Sequence, residues 1–367
     1  MDVTCTQENF SKGLQIVSRV ATTKSSLPVL ANILIQTKDG QLRLAATDLE
    51  IGVVTMIGAK VVTDGAITLP ARLLVDFIGQ NTDPTLQIGV TQGEARIQSD
   101  RHTATMKGMD AAEFPLIPTV NDATVFTLPA SLLRRGLKDV LFAAAIDDAR
   151  PVLNGICFRF REKELVLAAT DSYRLAERVL PLTGNVPEGT LLLPVRAAQE
   201  LTRVLPDSAA VATLQFNANQ LSLDVENTQI ISRLIDGTFP DYQQIIPASS
   251  TTTVTVDREE LINAVRMASI FARDTSHNIR CTMTPPTGCT VAAVSATVGQ
   301  NVATVPATVV GEPIEIAFNA KYVLDALAAL TGETVTMLFS GTDRAGIFRA
   351  SSDDKYLSLV MPLRTDA

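Results

Sequence analysis

Two aspartates with matching surroundings are the first candidates for chemistry in this sequence. Asp48 and Asp171 each end an Ala-Thr-Asp triplet that follows a strand-like run. Such carboxylates could hold a divalent metal ion and support phosphoester hydrolysis, so a metal-dependent hydrolase is one hypothesis. Neither triplet has histidines or further carboxylates grouped with it, however. Aspartates in turns usually accept hydrogen bonds from nearby backbone N–H groups, so we favour a structural role and expect no metal.

The other reactive side chains form no catalytic pattern. The only histidines, His102 and His277, lie far apart in the sequence. There is no GxSxG motif, no evident Ser/His/Asp arrangement and no GxxxxGK[ST] phosphate loop. We therefore predict no catalytic residue and no cofactor.

The cysteines and the net charge narrow the class of protein. Cys5, Cys157, Cys281 and Cys289 are scattered and lack CxxC spacing, so we expect buried free thiols in a reducing compartment. The first residues do not resemble a secretory signal, and no apolar run approaches the ~18–20 residues that span a bilayer. We expect a cytoplasmic protein.

The net charge of -8 argues mildly against a protein whose whole surface binds nucleic acid. It does not exclude a basic surface on one side, because the distribution of charge matters more than its sum.

The elements that position the two aspartates are copies of each other. The stretch Leu27–Ile51 matches all but the last residue of Arg150–Leu175 without a gap, at a constant shift of 123 positions. Ten of 22 positions are identical between Leu27–Asp48 and Arg150–Asp171. This period is the length of a whole domain rather than that of a solenoid repeat.

Other landmarks recur with nearly the same period and predict three repeats. Gly65–Gly79, Gly189–Leu205 and Ile314–Leu330 each read as a strand followed by a helix, and Arg72, Arg196 and Lys321 occupy one position in that unit. Amphipathic helices are also predicted over Gln7–Ala21, Leu128–Ala145 and Val256–Ala272. We expect boundaries near Ala123 and Ser249, which gives domains 1–123, 124–249 and 250–367.

Each repeat is predicted to be an α+β domain with two helices packed on antiparallel sheets of about eight short strands. Tandem copies can continue one another's sheets edge to edge. Closure into a ring would remove the free edge strands altogether.

The repeated motifs together resemble the bacterial DNA polymerase III beta subunit, the beta sliding clamp family of processivity factors. The resemblance rests on LPVLANILI…LAATDLEI, RPVLNGI…LAATDSYRLA, LPVRAAQEL, FPDYQQIIP and the final VMPLR, and it covers the whole chain. It implies a head-to-tail homodimer that forms a closed ring around duplex DNA, with helices inside and sheets outside. The ring would tether the polymerase and would have no catalytic activity of its own.

A DNA-facing surface is predicted from the basic residues of the helices and nearby loops. Contacts to phosphates are independent of base sequence, as a sliding protein requires. The alternative is that these side chains simply solvate exposed helix faces. The candidates are Lys12, Arg19, Lys24, Arg72, Arg134, Arg135, Lys138, Arg150, Arg196, Arg203, Arg266 and Lys321.

The resemblance also implies a pocket between the second and third domains. It would accept short linear motifs of the polymerase and the clamp loader. The matching positions are Leu153, Thr170, Tyr173, Arg174, Leu175, Pro240, Ile245, Leu359, Met361, Pro362, Leu363 and Arg364. Tyr173 replaces a histidine that is common in the family, and Thr365–Ala367 extend beyond the usual end, so the motif preference stays open.

The dimer interface implied by the resemblance joins two helix ends. Phe77 and Ile78 end one helix, and Ile270 and Phe271 end the other. The stretch Thr297–Val305 lacks the acidic residues that the family often has near this junction, so ring closure is expected to be weaker. A scaffold that binds only proteins is the remaining alternative function.

Overall fold

The computed structural model describes residues 1–23, 25–147, 149–182 and 188–363, and one order of elements occurs three times along the chain. In each repeat a strand leads into a helix and hairpin strands follow. A further strand then leads into a second helix, and three strands complete the repeat. The α+β class and the three tandem repeats predicted from the sequence are confirmed.

The described residues contain six α-helices, two in each repeat. They are α1 Gln7–Val17, α2 Ala71–Gln80, α3 Ala130–Leu141, α4 Val195–Val204, α5 Arg258–Phe271 and α6 Ala320–Ala329. Asp257 caps α5 by accepting a hydrogen bond from Glu260 N at 2.9 Å, and Asn319 caps α6 through Lys321 N at 2.9 Å. The first helix ends at Val17, four residues before its predicted end at Ala21.

The strands are short and follow the repeat. The first repeat contains β1 Asp2–Thr6, β2 Asn32–Lys38, β3 Gln41–Thr47, β4 Ile51–Gly58, β5 Lys60–Thr63, β6 Ala66–Pro70, β7 Thr85–Thr91, β8 Glu94–Gln98 and β9 Thr103–Lys107. The second contains β10 Thr124–Pro129, β11 Gly155–Arg161, β12 Glu164–Thr170, β13 Arg174–Pro181, β14 Gly189–Pro194, β15 Val211–Phe216, β16 Gln220–Val225 and β17 Thr228–Arg233. The third contains β18 Thr252–Asp257, β19 Asn278–Thr284, β20 Gly288–Ser295, β21 Gly299–Gly311, β22 Ile314–Asn319, β23 Thr334–Phe339, β24 Gly346–Ala350 and β25 Tyr356–Val360.

The strands form three antiparallel sheets, and two of these continue from one repeat into the next. The five-stranded sheet has the order β5-β1-β7-β8-β9, and the eight-stranded sheet has the order β10-β15-β16-β17-β4-β3-β2-β6. The twelve-stranded sheet has the order β14-β11-β12-β13-β25-β24-β23-β18-β21-β20-β19-β22. At one junction β17 pairs with β4, and at the other β13 pairs with β25. The fourth strand of one repeat thus pairs with the last strand of the next.

The chain divides into two compact units that do not coincide with the repeats. The first unit comprises Met1–Ser131 and Glu200–Leu234, and the second comprises Leu132–Gln199 and Ile235–Ala367. The division follows the sheets, because β17 belongs to the sheet of the first repeat and β13 belongs to that of the third.

Each unit has a core of buried apolar side chains. Phe10, Leu14 and Val17 of α1 are buried at the predicted helical spacing. All four cysteines are buried free thiols, as predicted, and burial raises their pKa values, for Cys5 to about 12. None of the helices among the described residues is long and apolar enough to cross a membrane.

Candidate functional site

The two Ala-Thr-Asp triplets form the same hydrogen-bonded turn. Asp48 Oδ1 accepts from Glu50 N at 3.0 Å and Ile51 N at 2.8 Å, and Asp171 Oδ1 accepts from Tyr173 N at 2.9 Å and Arg174 N at 3.0 Å. The residue after each aspartate has a left-handed backbone, with φ near 79°. The carboxylates therefore hold a turn together, which agrees with the structural role predicted for them.

The described residues contain no cluster of side chains suited to hold a metal ion. Across the described ranges, no group of three or more His, Cys, Asp or Glu side chains is arranged to hold a metal ion. His102 and His277 belong to different compact units. The geometry thus gives no support to the hydrolase hypothesis.

The second turn carries a buried cation that the first turn lacks. Arg174 stands where the first repeat has Ile51, and its Nε lies 3.0 Å from Asp171 Oδ2. Its Nη1 lies 2.5 Å from Asp325 Oδ2 on α6. The guanidinium also stacks 4.6 Å from the ring centroid of Tyr322. The buried guanidinium is thus compensated by two carboxylates and one aromatic ring, and through Asp325 and Tyr322 it connects the turn to the third repeat.

An apolar cluster lies beneath this arginine. Leu175 on β13 faces Leu359 on β25, and both are fully buried together with Leu153. Phe239 and Tyr242 belong to the same cluster, and Met361 packs against it. We call this cluster the junction core.

The chain that leaves β25 stays on the same unit. Met361 N donates to Tyr173 O at 2.8 Å, and Leu363 N donates to Ala317 O at 2.8 Å. The Tyr173 ring, 60% exposed, stacks on Tyr322 with ring centroids 6.5 Å apart. The last strand and the turn after Asp171 thereby share one surface.

The predicted pocket residues separate into a buried base and an accessible surface. Leu153, Thr170, Arg174, Leu175 and Leu359 are buried and form the base. We call the accessible side chains the partner-binding surface, after the role predicted for them, namely Tyr173, Pro240, Ile245, Met361, Pro362 and Leu363. Arg364 and Thr365–Ala367 lie outside the described residues.

Sequence reasoning missed the residues that the third repeat contributes. Tyr322 and Asp325 of the third repeat both contact Arg174. Phe142 of the second repeat was also missed, and its ring centroid lies 5.5 Å from the Arg174 guanidinium. One feature of the sequence could have pointed to Tyr322: it directly follows Lys321, the cation that recurs in all three repeats.

A second buried ionic cluster lies along the same strand junction. Arg178 donates to Asp139 Oδ2 at 2.8 Å and to Asp353 Oδ2 at 2.7 Å. Burial raises the pKa of Asp139 despite the nearby Arg178. Burial would also raise the pKa of the more accessible Asp353, but the hydrogen bond and charge of Arg178 lower it overall. The cluster links α3, β13 and the loop before β25.

The basic candidates fall into different environments. Arg72, Arg196 and Lys321 are each the second residue of their helix and are exposed, as are Arg19, Lys138 and Arg266. Lys12 is paired with Glu8, Arg203 with Glu200 and Arg135 with Asp353. Arg134 is half-buried on α3, and Lys24 lies outside the described residues.

Arg150 precedes β11, and its side chain contacts the turn after Asp171. Its Nη1 donates to Ser172 Oγ at 2.7 Å and its Nη2 to Asp171 O at 3.4 Å. The side chain therefore lies beside the turn that carries Tyr173. The assignment of Arg150 to the DNA-facing set stays a prediction.

The predicted interface residues require one correction. Ile78 is 1% exposed and belongs to the core of its own unit, so it cannot contact a second chain. Phe77, one position earlier on α2, is half-buried, and Leu73 on the same helix is exposed. In the second unit, Ile270 is 48% exposed, Phe271 is half-buried and Met267 is exposed. Leu73 and Met267 are exposed apolar residues that the sequence prediction did not include.

Comparison with known proteins gives one consistent family. Models of the DNA polymerase III beta subunit match residues 1–118 as the N-terminal domain, 127–241 as the central domain and 243–364 as the C-terminal domain. The beta sliding clamp of Synechocystis sp. is 31% identical over 99% of both chains. That of Bacillus subtilis is 28% identical over 100% of both chains.

Solved structures agree with this assignment. The DNA polymerase sliding clamp of Bacillus subtilis superimposes with a TM-score of 0.95 at 26% identity, covering 100% of this chain and 99% of that one. The DnaN sliding clamp of Pseudomonas aeruginosa bound to griselimycin has a TM-score of 0.96 at 27% identity, with 100% of both chains covered. This chain therefore belongs to the DNA polymerase III beta subunit family, the beta sliding clamps, which are non-catalytic processivity factors.

Proposed function

We propose that this protein is a sliding clamp that encircles duplex DNA as a homodimer and tethers the replicative polymerase. The observation that carries the proposal is the continuation of the sheets across both internal junctions. We further propose that its three clamp domains span 1–123, 124–249 and 250–367, and that it works in the cytoplasm on the nucleoid.

Ring closure follows if the same strand pairing occurs once more, between two copies of the chain. In that pairing the fourth strand of one repeat lies against the last strand of the next. The fourth strand of the first repeat, β4, pairs with β17, and that of the second, β13, pairs with β25. In the third repeat the equivalent strand is β21. Its residues 299–305 have β20 on one side and no described strand on the other. The last strands of the second and third repeats are paired in this way, and the last strand of the first repeat, β9, is not. It lies at the edge of the five-stranded sheet. We therefore place β21 of one copy against β9 of the other.

Two features of β21 bear on this contact. The Asn301 Oδ1 atom is buried and has no hydrogen-bond partner among the described residues, so a second strand would supply the donor it lacks. The stretch Thr297–Val305 carries no charge. Two such head-to-tail contacts close a ring of two chains, and closure depends on apolar and main-chain contacts rather than on ion pairs.

The DNA-facing surface is argued best from Arg72, Arg196 and Lys321. A cation near a helix N-terminus is electrostatically unfavourable by about 0.3–1 kcal/mol, because the helix dipole is positive at that end. The three repeats nevertheless place an exposed cation at this same point. A phosphate neutralises both the side chain and the helix terminus, so these positions suit sequence-independent backbone contacts.

The partner-binding surface suits short linear motifs. It has aromatic, proline and thioether side chains next to the junction core. Apolar side chains of a bound peptide can pack against such groups. We propose that the polymerase and the clamp loader bind here. Griselimycin, which is bound to the related clamp of Pseudomonas aeruginosa, is a ready probe for the same surface.

The DNA assignment is tested by neutralising the three recurring cations together. In the Arg72→Gln, Arg196→Gln, Lys321→Gln variant, the slope of log affinity for linear DNA against log salt should fall by about 0.9 for each phosphate that the protein no longer neutralises. A triple change at the exposed Arg96, Arg161 and Arg233 is the charge-matched control. An unchanged slope in the first variant would show that these helix ends do not face DNA.

A further inference from the structure

The ring joint proposed above repeats a strand pairing that the chain makes twice within itself. At the first internal junction Val53 on β4 faces Ile230 on β17, and at the second Ala176 on β13 faces Ser358 on β25. Val53 and Ala176 are both buried. Each internal junction therefore takes an aliphatic side chain at this position of the fourth strand.

The third repeat has Asn301 on β21 at the same position. An alanine of the preceding strand faces this position in every repeat. The pairs are Ala46 with Val53, Ala169 with Ala176, and Ala293 with Asn301. The Asn301 Oδ1 atom is buried and accepts no hydrogen bond from the described residues. An unsatisfied buried acceptor is destabilising, so the asparagine calls for a donor that the described part of the chain does not supply.

The register of the internal junctions predicts which residues meet at the ring joint. The two residues of the last strands that face Val53 and Ala176 correspond to Ala104 on β9, because each faces the same position of the strand before it. The pairs are Leu223 with Ile230, Phe348 with Ser358, and Ile97 with Ala104. Asn301 of one copy thus faces Ala104 of the other. Further along both strands, Ala303 faces His102.

The residues that correspond to His102 make side-chain contacts at both internal junctions. At the first, Thr228 faces Thr55, and their Oγ1 atoms lie 2.9 Å apart. At the second, Tyr356 faces Arg178, and its ring centroid lies 4.7 Å from the guanidinium. A side chain at this position of the last strand therefore reaches the neighbouring fourth strand.

His102 is the residue on this face of β9 that can donate a hydrogen bond. Ala104 and Met106, the next residues on the same face, have no side-chain donor. His102 is exposed, and its imidazole has no hydrogen-bond partner among the described residues. Its carbonyl oxygen accepts from Ser99 N at 2.8 Å, so the backbone at this end of β9 is held in place.

We propose that an imidazole N–H of His102 in one copy donates to Asn301 Oδ1 of the other copy at both joints of the ring. This inference rests on the ring closure proposed above. Diagonal neighbours on paired strands are about 7–8 Å apart, within reach of a long side chain, and the small Ala303 opposite His102 leaves room for the imidazole. The main-chain N–H groups of β9 are needed for pairing with β8 and β21, so the donor has to be a side chain.

The pair of His102 and Asn301 selects which chains close a ring with this one. A clamp chain without a donor at this place leaves Asn301 unsatisfied at the joint and closes less tightly. A single buried asparagine fixes register in coiled coils at a similar cost in stability.

The test is a double-mutant cycle on the dimerisation of the full-length protein, measured by sedimentation over a range of concentrations. His102→Ala leaves Asn301 Oδ1 unsatisfied. We expect the dimer dissociation constant to rise about 10-fold for each joint, and therefore about 100-fold for a ring with two joints. Asn301→Val, which copies the first repeat, should dimerise at least as tightly as the unchanged protein. In the Asn301→Val background, His102→Ala should have no further effect.

Two further measurements separate this hydrogen bond from a general effect on folding. His102→Gln keeps an amide N–H donor and should restore most of the affinity that His102→Ala loses. The magnetic resonance signal of the His102 imidazole, assigned from its loss in His102→Ala, should shift when the unchanged protein dimerises. The same shift should be absent when Asn301→Val dimerises.

The outcomes distinguish this pair from the ring itself. The pair is wrong, and the ring stands, if His102→Ala dimerises as tightly as the unchanged protein or weakens the dimer equally in both backgrounds. An unchanged protein that stays monomeric at all concentrations would overturn the ring closure and the pair together.

Discussion

Arg174 Nη1 lies 2.5 Å from Asp325 Oδ2, so a buried arginine on β13 of the second repeat is bound to helix α6 of the third. The same guanidinium holds Asp171 of the duplicated turn at 3.0 Å. The first repeat has Ile51 at the equivalent place and cannot make this connection. A single substitution between two copies of a turn thus joins the turn to the surface where we expect partners to bind.

Removing the charge of Asp325 should weaken both stability and partner binding. In Asp325→Asn, Arg174 keeps only Asp171 as a carboxylate partner. Because the Asp325 side chain is 32% exposed, solvent screens part of the loss. We expect the free energy of unfolding to fall by about 1 kcal/mol and griselimycin to bind less tightly.

Chemical denaturation and calorimetric titration measure these two effects. Asp354→Asn, an exposed carboxylate with the same charge change, is the control and should alter neither. If Asp325→Asn matches the unchanged protein in both measurements, Arg174 is not held by this contact.

Shortening two apolar side chains should remove most peptide binding. Met361→Ala, Leu363→Ala deletes half-buried groups at the end of the partner-binding surface while leaving the main-chain hydrogen bonds of both residues. Loss of about 1–2 kcal/mol for each side chain weakens a polymerase-derived peptide by about 30- to 1,000-fold. Calorimetry with that peptide gives the measurement.

Leu116→Ala is the control for this variant, because Leu116 is 97% exposed and lies in the other compact unit. It should bind the peptide normally. Equal affinity of the double variant and the control would show that partners bind elsewhere.

A charge at the proposed dimer contact should separate the two chains. Phe77→Asp and Ile270→Asp each place a carboxylate where we expect apolar contact between copies, and burial of an unpaired charge is costly. Sedimentation should show monomers for both variants. Ile146→Asp, at a residue that is 86% exposed, should remain dimeric. We also expect the unchanged dimer to dissociate more easily than clamps with charged junctions, and unusually tight closure would contradict this.

Asp83 should govern part of the acid stability of the first unit. Its carboxylate accepts hydrogen bonds from Ser99 Oγ at 2.7 Å and from Arg101 Nε at 2.7 Å, which lower its pKa from 3.8 to about 2. The folded-state pKa is depressed, so the ionised group stabilises the fold above about pH 4, and this contribution is lost as the pH falls toward 2.

The variant Asp83→Asn should therefore be less stable at neutral pH and lose less stability between about pH 4 and 2. Urea denaturation at several pH values measures this, with exposed Asp100→Asn as the control. If the stability of the variant falls as steeply in acid as that of the unchanged protein, Asp83 is not the group responsible for the acid-dependent loss of stability.

The repeat made most of the fold predictable from sequence. Strands and helices recur at a nearly constant shift, and alternating apolar residues define the strands locally. Tertiary contacts were harder to foresee, because Asp325 meets Arg174 across 151 positions of sequence and no periodicity marks such a pair. Ile78 was assigned wrongly because its neighbour Phe77 is equally apolar, and only the rotation of α2 decides which of the two faces the core. The DNA-facing and partner-binding surfaces stay predictions.

The most direct test of the clamp proposal is topological. The protein is loaded onto nicked circular DNA, separated from free protein at raised salt, and then the DNA is linearised. A closed ring should stay on the circle and slide off the linear ends, because it is linked to DNA rather than tightly bound. Loss from both forms at the same rate, or equal retention on both, would contradict the claim that this chain encircles DNA.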